Sequence, residues 1–274
     1  MIAALALTGV LAVAPVQAET AARGAVRATV TYTRLQGYDL YDVHLAIERR
    51  GVRVLDTRVQ PYSRQDPENQ PVGVWRKQGV KGARTIAVAD LDGNGEPEIL
   101  LDFWTGGPHC CLWTRIYRWQ TSARAYTSST HFWGNWPYRL AGLRSGRTEL
   151  VGADNRFAYA FTDFAGSSAP VRVWDDRNGR LVDTTRAYAA AIARDAARQW
   201  RWYGAVRHRD GEVRGYLAAW TADESLLGRG SLAFRWLDSH HSRFVDAIDE
   251  EHSGSVVNFL RALRAFLVRT GYLR

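Results

Sequence analysis

The side chains best spaced to do chemistry lie in Asp90-Leu91-Asp92-Gly93-Asn94-Gly95-Glu96-Pro97-Glu98. The run matches D-x-[DN]-x-[DN]-G-x-x-[DE], in which alternate acidic and amide groups on a tightly curled loop converge on one point. A hard cation such as calcium wants six to eight oxygens at about 2.3–2.6 Å, and this spacing supplies them. Asp90, Asp92 and Asn94 are expected to give side-chain oxygens, Glu96 its carbonyl, and Glu98 a closing carboxylate, directly or through water. Gly95 permits the sharp turn. Pro97 argues against a helix leaving the loop, and Leu101 stands where an EF-hand needs its twelfth-position glutamate. A solvated acidic turn would have a similar composition. Five ligand positions in register favour calcium as the cofactor, at one site: the turn Leu143-Arg144-Ser145-Gly146-Arg147 has lost the acids, and Arg144 would repel a cation.

Other reactive groups are less specific. The two cysteines, Cys110 and Cys111, are adjacent. Neighbouring Cα atoms lie about 3.8 Å apart, below the usual disulfide range, so a bridge needs a strained ring. The readings are a vicinal disulfide, buried free thiols, or soft metal ligation together with His109; the first is preferred, and the third is weak without a CxxC spacing. Trp133-Gly134-Asn135-Trp136-Pro137-Tyr138 could stack on sugar rings or a peptide, and Trp133, Trp136 and His109 are the candidate ligand-binding residues. Core filling is the commoner use of such aromatics. His240-His241, near Asp238 and Asp246, reads as a polar turn rather than an acid–base cluster, and Asp249-Glu250-Glu251 as a solvated helix end. The motifs G-x-S-x-G, H-E-x-x-H, G-x-x-x-x-G-K-[ST] and G-x-G-x-x-G do not occur, so no catalytic set is assigned.

The elements that must position these groups follow from hydrophobic period. From Gly24 to Asp183 the pattern alternates in twos, as in Val26-Arg27-Ala28-Thr29-Val30-Thr31-Tyr32. Strands are expected at 41–47, 52–59, 84–89, 98–104, 112–119, 125–132, 149–153, 157–162 and 171–174, with Asn178-Gly179 as a hairpin turn into 180–182 and Pro61–Pro71 as a loop. Beyond Thr184 the period changes. Tyr188, Ile192, Ala196 and Trp200 mark a helix capped by Asp183 and Thr184. Further helices are expected around Val213–Trp220, Leu232–Leu237 and Phe244–Ile248, and one from Val256 to Leu267 behind Ser253 and Ser255. Ala89–Asp102 and Ala141–Asp154 form a weak repeat, each a turn feeding an apolar strand. The expected fold is α+β: an antiparallel, blade-like strand region over 19–183, with room for about three or four blades of ~40–45 residues, then a small helical region over 184–274.

With 274 residues, 46% hydrophobic and 23% charged, the chain can bury a core, which excludes wholesale disorder. Residues 2–18 are uncharged and apolar and end in Val16-Gln17-Ala18, a small-residue cleavage pattern. Residues 1–18 therefore read as a signal peptide, the compartment as secreted or periplasmic, and no later run approaches transmembrane length. Lys77 and Lys81 are the only lysines among 36 basic residues, the remainder being arginine, and the net charge is +8. That balance suits an anionic partner, but the arginines are scattered and specific nucleic-acid binding is not expected.

The stretch Thr85–Leu101, extended through Asp102–Cys111, resembles the calcium-loop repeats of FG-GAP and VCBS proteins, related to the integrin alpha-chain propeller. In that family a strand, a D-x-D-x-[DN]-G loop and a second strand build part of a blade. The resemblance implies a secreted or cell-surface scaffold with structural calcium and a binding role. The chain departs from the family in having few repeats and an appended helical region. The functional expectation is an exported binding or scaffold protein whose ligand is an acidic glycan, envelope component or protein. The alternative is a secreted hydrolase acting on an envelope polymer.

Overall fold

Alternating β-branched and aromatic residues build three antiparallel sheets in the computed structural model, which describes residues 16–34, 40–59, 73–74, 85–104, 111–208, 212–240 and 256–273. The first sheet has the order β1 (Val16–Arg23), β2 (Val26–Arg34), β3 (Leu40–Arg49), β4 (Val52–Arg58). In the second, β5 (Gly73–Val74) and β6 (Ile86–Ala89) pair with opposite ends of β7 (Glu98–Trp104), followed by β8 (Leu112–Gln120) and β9 (Ala125–Gly134). The third runs β10 (Arg139–Ala141), β11 (Glu149–Ala153), β12 (Val171–Arg177), β13 (Arg180–Asp183). Among the described residues four helices follow: α1 (Ala189–Val206), α2 (Arg214–Leu226), α3 (Gly230–Ser239) and α4 (Val256–Arg269). The fold is α+β with a strand-rich N-terminal region.

Period-two burial stacks the sheets. Val26, Ala28, Val30 and Tyr32 of β2 point one way and pack, with Leu45 and Ile47, on Ile99, Leu101 and Phe103 of β7. Leu100 of β7 points the other way, joining Ile116, Trp133 and Leu150 against the third sheet. Covered on both faces, β7 has little room for polar alternation, which is why Ile99-Leu100-Leu101 reads as a continuous apolar run. Val151, Val171 and Val173 of the third sheet then pack on Tyr188, Ala191 and Ile192 at the start of α1. Leu217, Phe234, Leu237, Leu263 and Leu267 make the helical core.

Several local expectations are corrected. The segment 157–162 is not a strand: a 3-10 turn, Asn155–Phe157, carries Phe157 into the helical core beside Phe266 and Tyr272. Asp183 and Thr184 do not cap α1: they precede a 3-10 turn, Thr185–Ala187, where Asp183 accepts from the Thr185 amide at 3.0 Å, and α1 begins at Ala189 without a side-chain cap. Strand β1 is not among the expected strands; its first residues Val16, Gln17 and Ala18 pair with Thr33, Tyr32 and Thr31. The segments 61–71 and 244–248 and the caps Ser253 and Ser255 lie outside the described residues. Within the described residues no helix is long and apolar enough to cross a membrane.

Candidate metal centre

The hairpin β6–β7 holds the acidic loop. Ala89 pairs with Glu98 at its mouth, and buried Leu91 anchors its first turn in the core, where the Leu91 amide donates to Glu98 Oε2 at 2.8 Å. Asp90 then organises the curl: Oδ1 accepts from the Gly93 amide at 2.9 Å and Oδ2 from the Gly95 amide at 3.1 Å. Gly93 and Gly95 have φ of +80° and +84°, a backbone state that side chains with a Cβ resist.

This curl brings one carboxylate oxygen each from Asp90, Asp92 and Glu98 within 4.8 Å of one another. Oxygens bound to one calcium at about 2.4 Å cannot lie more than about 4.8 Å apart, so the three fit a single hard cation. Burial is the main reason that Glu98 is pushed up to about 7; Asp92 and Asp176 add repulsion, while the Leu91 amide and Arg118 pull the other way. The side chains of the other two expected ligand residues make their own contacts, which leave the Glu96 carbonyl, its expected ligand atom, unaffected. Asn94 Oδ1 accepts from the Glu96 amide at 2.6 Å and Nδ2 donates to Asp92 Oδ2 at 2.9 Å, while the Glu96 carboxylate turns to Arg49 of β3. Leu101 is fully buried, leaving no twelfth-position ligand.

Tertiary structure adds residues that sequence spacing did not mark. Asp176 of β12 lies buried beside the loop and receives Arg118 Nε at 2.8 Å. A shallow cavity of about 460 Å³ between this strand and the loop is lined by Asp92, Asn94, Arg147, Asp176, Arg177 and Asn178. No spacing rule links positions on β8, β12 and the loop, so only the sheet stacking reveals them.

Of the aromatic candidates, Trp133 is interior and Trp136 partly buried. Trp133 is 3% exposed, stacks on Tyr138, meets Trp174 edge-on, and donates Nε1 to Thr114 Oγ1 at 2.8 Å, so it offers a ligand no open face. Trp136 packs against the helical core. Asp102 joins the same polar seam, with Oδ1 accepting from Thr114 at 2.5 Å and Tyr138 at 2.9 Å; burial pushes it up to about 6. His131, against Trp133 and Trp174, is lowered by burial to about 4. Cys111 is buried and disulfide-bonded, while Cys110 and His109 lie outside the described residues. His240 ends α3 stacked on Trp236; His241 and Asp246 are not among the described residues.

Residues 192–271, in the helical part, match the family model described as the sll0997 C-terminal domain. The chain is 27% identical over 211 residues to "Probable thylakoid lumen protein sll0997" of Synechocystis, covering 69% of this chain and 60% of that relative. It is also 27% identical over 198 residues to protein y4bJ of Sinorhizobium fredii, covering 65% of this chain and 30% of the relative. The chain thus spans less than two thirds of either relative's length. A solved structure of a Xanthomonas type IV secretion system related protein aligns with 61% of this chain and 92% of its own at 11% identity; its TM-score of 0.26 carries no structural argument. The acidic loop lies outside the matched segment 192–271.

Proposed function

We propose that the protein is an exported, calcium-stabilised binding or scaffold protein. The observation that carries this reading is the convergence of Asp90, Asp92 and Glu98 on one point at the tip of a core hairpin. Calcium bound there would supply the positive charge that lets three neighbouring carboxylates remain ionised. Asp90 organises the loop amides, Glu98 ties the loop to the mouth of the hairpin, and Asp92 closes the open side. The resemblance of Thr85–Leu101 to FG-GAP and VCBS repeats supports the same structural use of the metal.

Export is supported by the apolar leader at 2–18 and by the lumenal name of the Synechocystis relative, and the compartment proposed is secreted or periplasmic. The net charge of +8 favours an acidic extracellular or envelope ligand, such as an acidic glycan. Calorimetric titration of calcium into chelator-stripped protein, with melting curves, tests the reading. One saturable site and a calcium-dependent rise in Tm are expected, both lost in Asp92→Ala. Absence of binding at millimolar calcium overturns it.

A further inference from the structure

The third sheet repeats the geometry of the acidic loop with its charges inverted. In β6–β7 Ala89 pairs with Glu98, and the amide two residues after that alanine, Leu91, donates to Glu98 Oε2 at 2.8 Å. In β10–β11 Ala141 pairs with Glu149, and Leu143 donates to Glu149 Oε2 at 2.7 Å. Counted from these alanines, Asp90 and Asp92 correspond to Gly142 and Arg144. The loops touch at their tips: a Cβ at Gly93 would lie 2.4 Å from the Gly146 carbonyl oxygen, and Arg147 donates to the Asp92 carbonyl at 3.0 Å.

The second loop still has a carboxylate pair to neutralise. Glu149 and Asp175 of β12 are both 0% exposed, and the Tyr188 hydroxyl lies 3.0 Å from Glu149 Oε1 and 2.8 Å from Asp175 Oδ1. One hydroxyl proton cannot balance two buried acids. Guanidinium groups approach Asp175 Oδ2 instead: Arg177 at 3.4 Å, Arg147 at 3.6 Å and Arg144 at 3.9 Å, the last lying 4.4 Å over the Tyr188 ring. Burial alone would raise Asp175, yet the Tyr188 and Thr184 hydroxyls with Arg177 and Arg144 hold it below its ordinary value.

We propose that the second loop is a cation site occupied from within: Arg144 and Arg147 take the place of a metal at Asp175, which shares the Tyr188 hydroxyl with Glu149, and removing them opens the site to a divalent cation. The inference goes beyond the calcium reading of the first loop and is tested apart from it. Guanidinium is a permanent charge that needs no ion from solution, so this loop keeps its fold when metal is withdrawn. Arg147, touching both Asp175 and the Asp92 carbonyl, also makes it the fixed wall against which the first loop closes.

The test uses the full chain carrying Asp92→Ala, which disables the first loop. Adding Arg144→Met and Arg147→Met is expected to lower Tm by about 5–10 °C, since buried Asp175 then keeps only Arg177 of its three guanidiniums. Millimolar calcium should restore part of that loss in this triple variant and do nothing for Asp92→Ala alone. Adding Glu149→Gln and Asp175→Asn should recover at least half of the loss without calcium, including the case where the triple variant does not fold. A triple variant as stable as its parent, or acid-neutralised chains no more stable than it, overturns the counter-charge role. A folded triple variant indifferent to calcium overturns the metal-equivalent role. Failure of the first loop to bind calcium appears separately, as a natural chain whose melting, like that of Asp92→Ala, does not respond to calcium.

Discussion

Asp175 and Asp176 of the third sheet face cations, whereas Asp223 in the helical part faces another acid. Asp176 receives Arg118, and Asp175 has three guanidiniums around it. Asp223 of α2 is 0% exposed, and neither of its oxygens has a hydrogen-bond donor among the described residues. Its neighbour is Asp195 of α1, which takes the Val171 amide at 3.1 Å, Gln199 Nε2 at 3.2 Å and the Arg198 guanidinium. Burial first, and Asp195 second, push Asp223 well above its ordinary value. Two carboxylates cannot hydrogen-bond as anions, but a carboxylic acid can donate to a carboxylate. The third sheet therefore balances Asp175 and Asp176 with fixed positive charge, whereas at the α1–α2 seam burial and Asp195 favour a proton retained on Asp223. The first arrangement resists pH and depends on partners; the second needs no partner and depends on pH.

The largest expected effect breaks the cation side. Arg118→Met leaves Asp176 buried without its partner and should cost about 3–5 kcal/mol in chemical denaturation, with most of it returned by adding Asp176→Asn. A loss below 1 kcal/mol would show that the pair is not what holds β8 to β12. Next comes the proton side. With its folded pKa raised, Asp223 contributes most at acid pH, and that contribution falls as pH rises above the unfolded value. Asp223→Asn keeps the shape and a donor toward Asp195, so it should stabilise the fold at pH 8 by about 1–4 kcal/mol and leave acid stability nearly unchanged. Equal effects at both pH values would refute the retained proton.

Two smaller tests sharpen the comparison inside the second sheet, where Asp102 is held by hydroxyls and not by a cation. Its rise to about 6 predicts that stability declines as pH climbs from about 4 to 6, by about 1–2 kcal/mol. Asp102→Asn retains an oxygen for Thr114 and Tyr138 and should flatten that window. His131 runs the other way. Lowered to about 4, it contributes while neutral, and that contribution is lost as pH falls from about 6.5 toward 4. His131→Phe, which preserves ring packing on Trp133 and Trp174, should remove this acid-side slope in melting curves recorded between pH 4 and 7.

Much of the scaffold is legible locally. Period-two alternation marks most strands and the four-residue spacing of Tyr188, Ile192, Ala196 and Trp200 marks α1, because burial on one face repeats with the geometry of the element. The acidic loop is legible too, since ligand spacing and glycine placement act within nine residues. Phe157–Thr162 misleads: aromatic residues at strand-like spacing serve a helical core that only folding supplies. For Trp133 and Trp136 the sequence left both uses open with core filling the commoner, and the structure buries Trp133 and packs a partly buried Trp136 on the helical core.

What the sequence alone determined is therefore short-range: most of the strands, the four described helices, the glycine-curled acidic loop, and its weak second copy around Ala141–Asp154. The tertiary structure decided which charges meet. Asp175 and Asp176 are neighbours on one strand, yet alternation sends one toward Tyr188 and Arg147 and the other toward Arg118 and the acidic loop. Electrostatic partnership depends on distance in space, and for residues 58 positions apart, as Arg118 and Asp176 are, that distance exists only after the sheets have stacked.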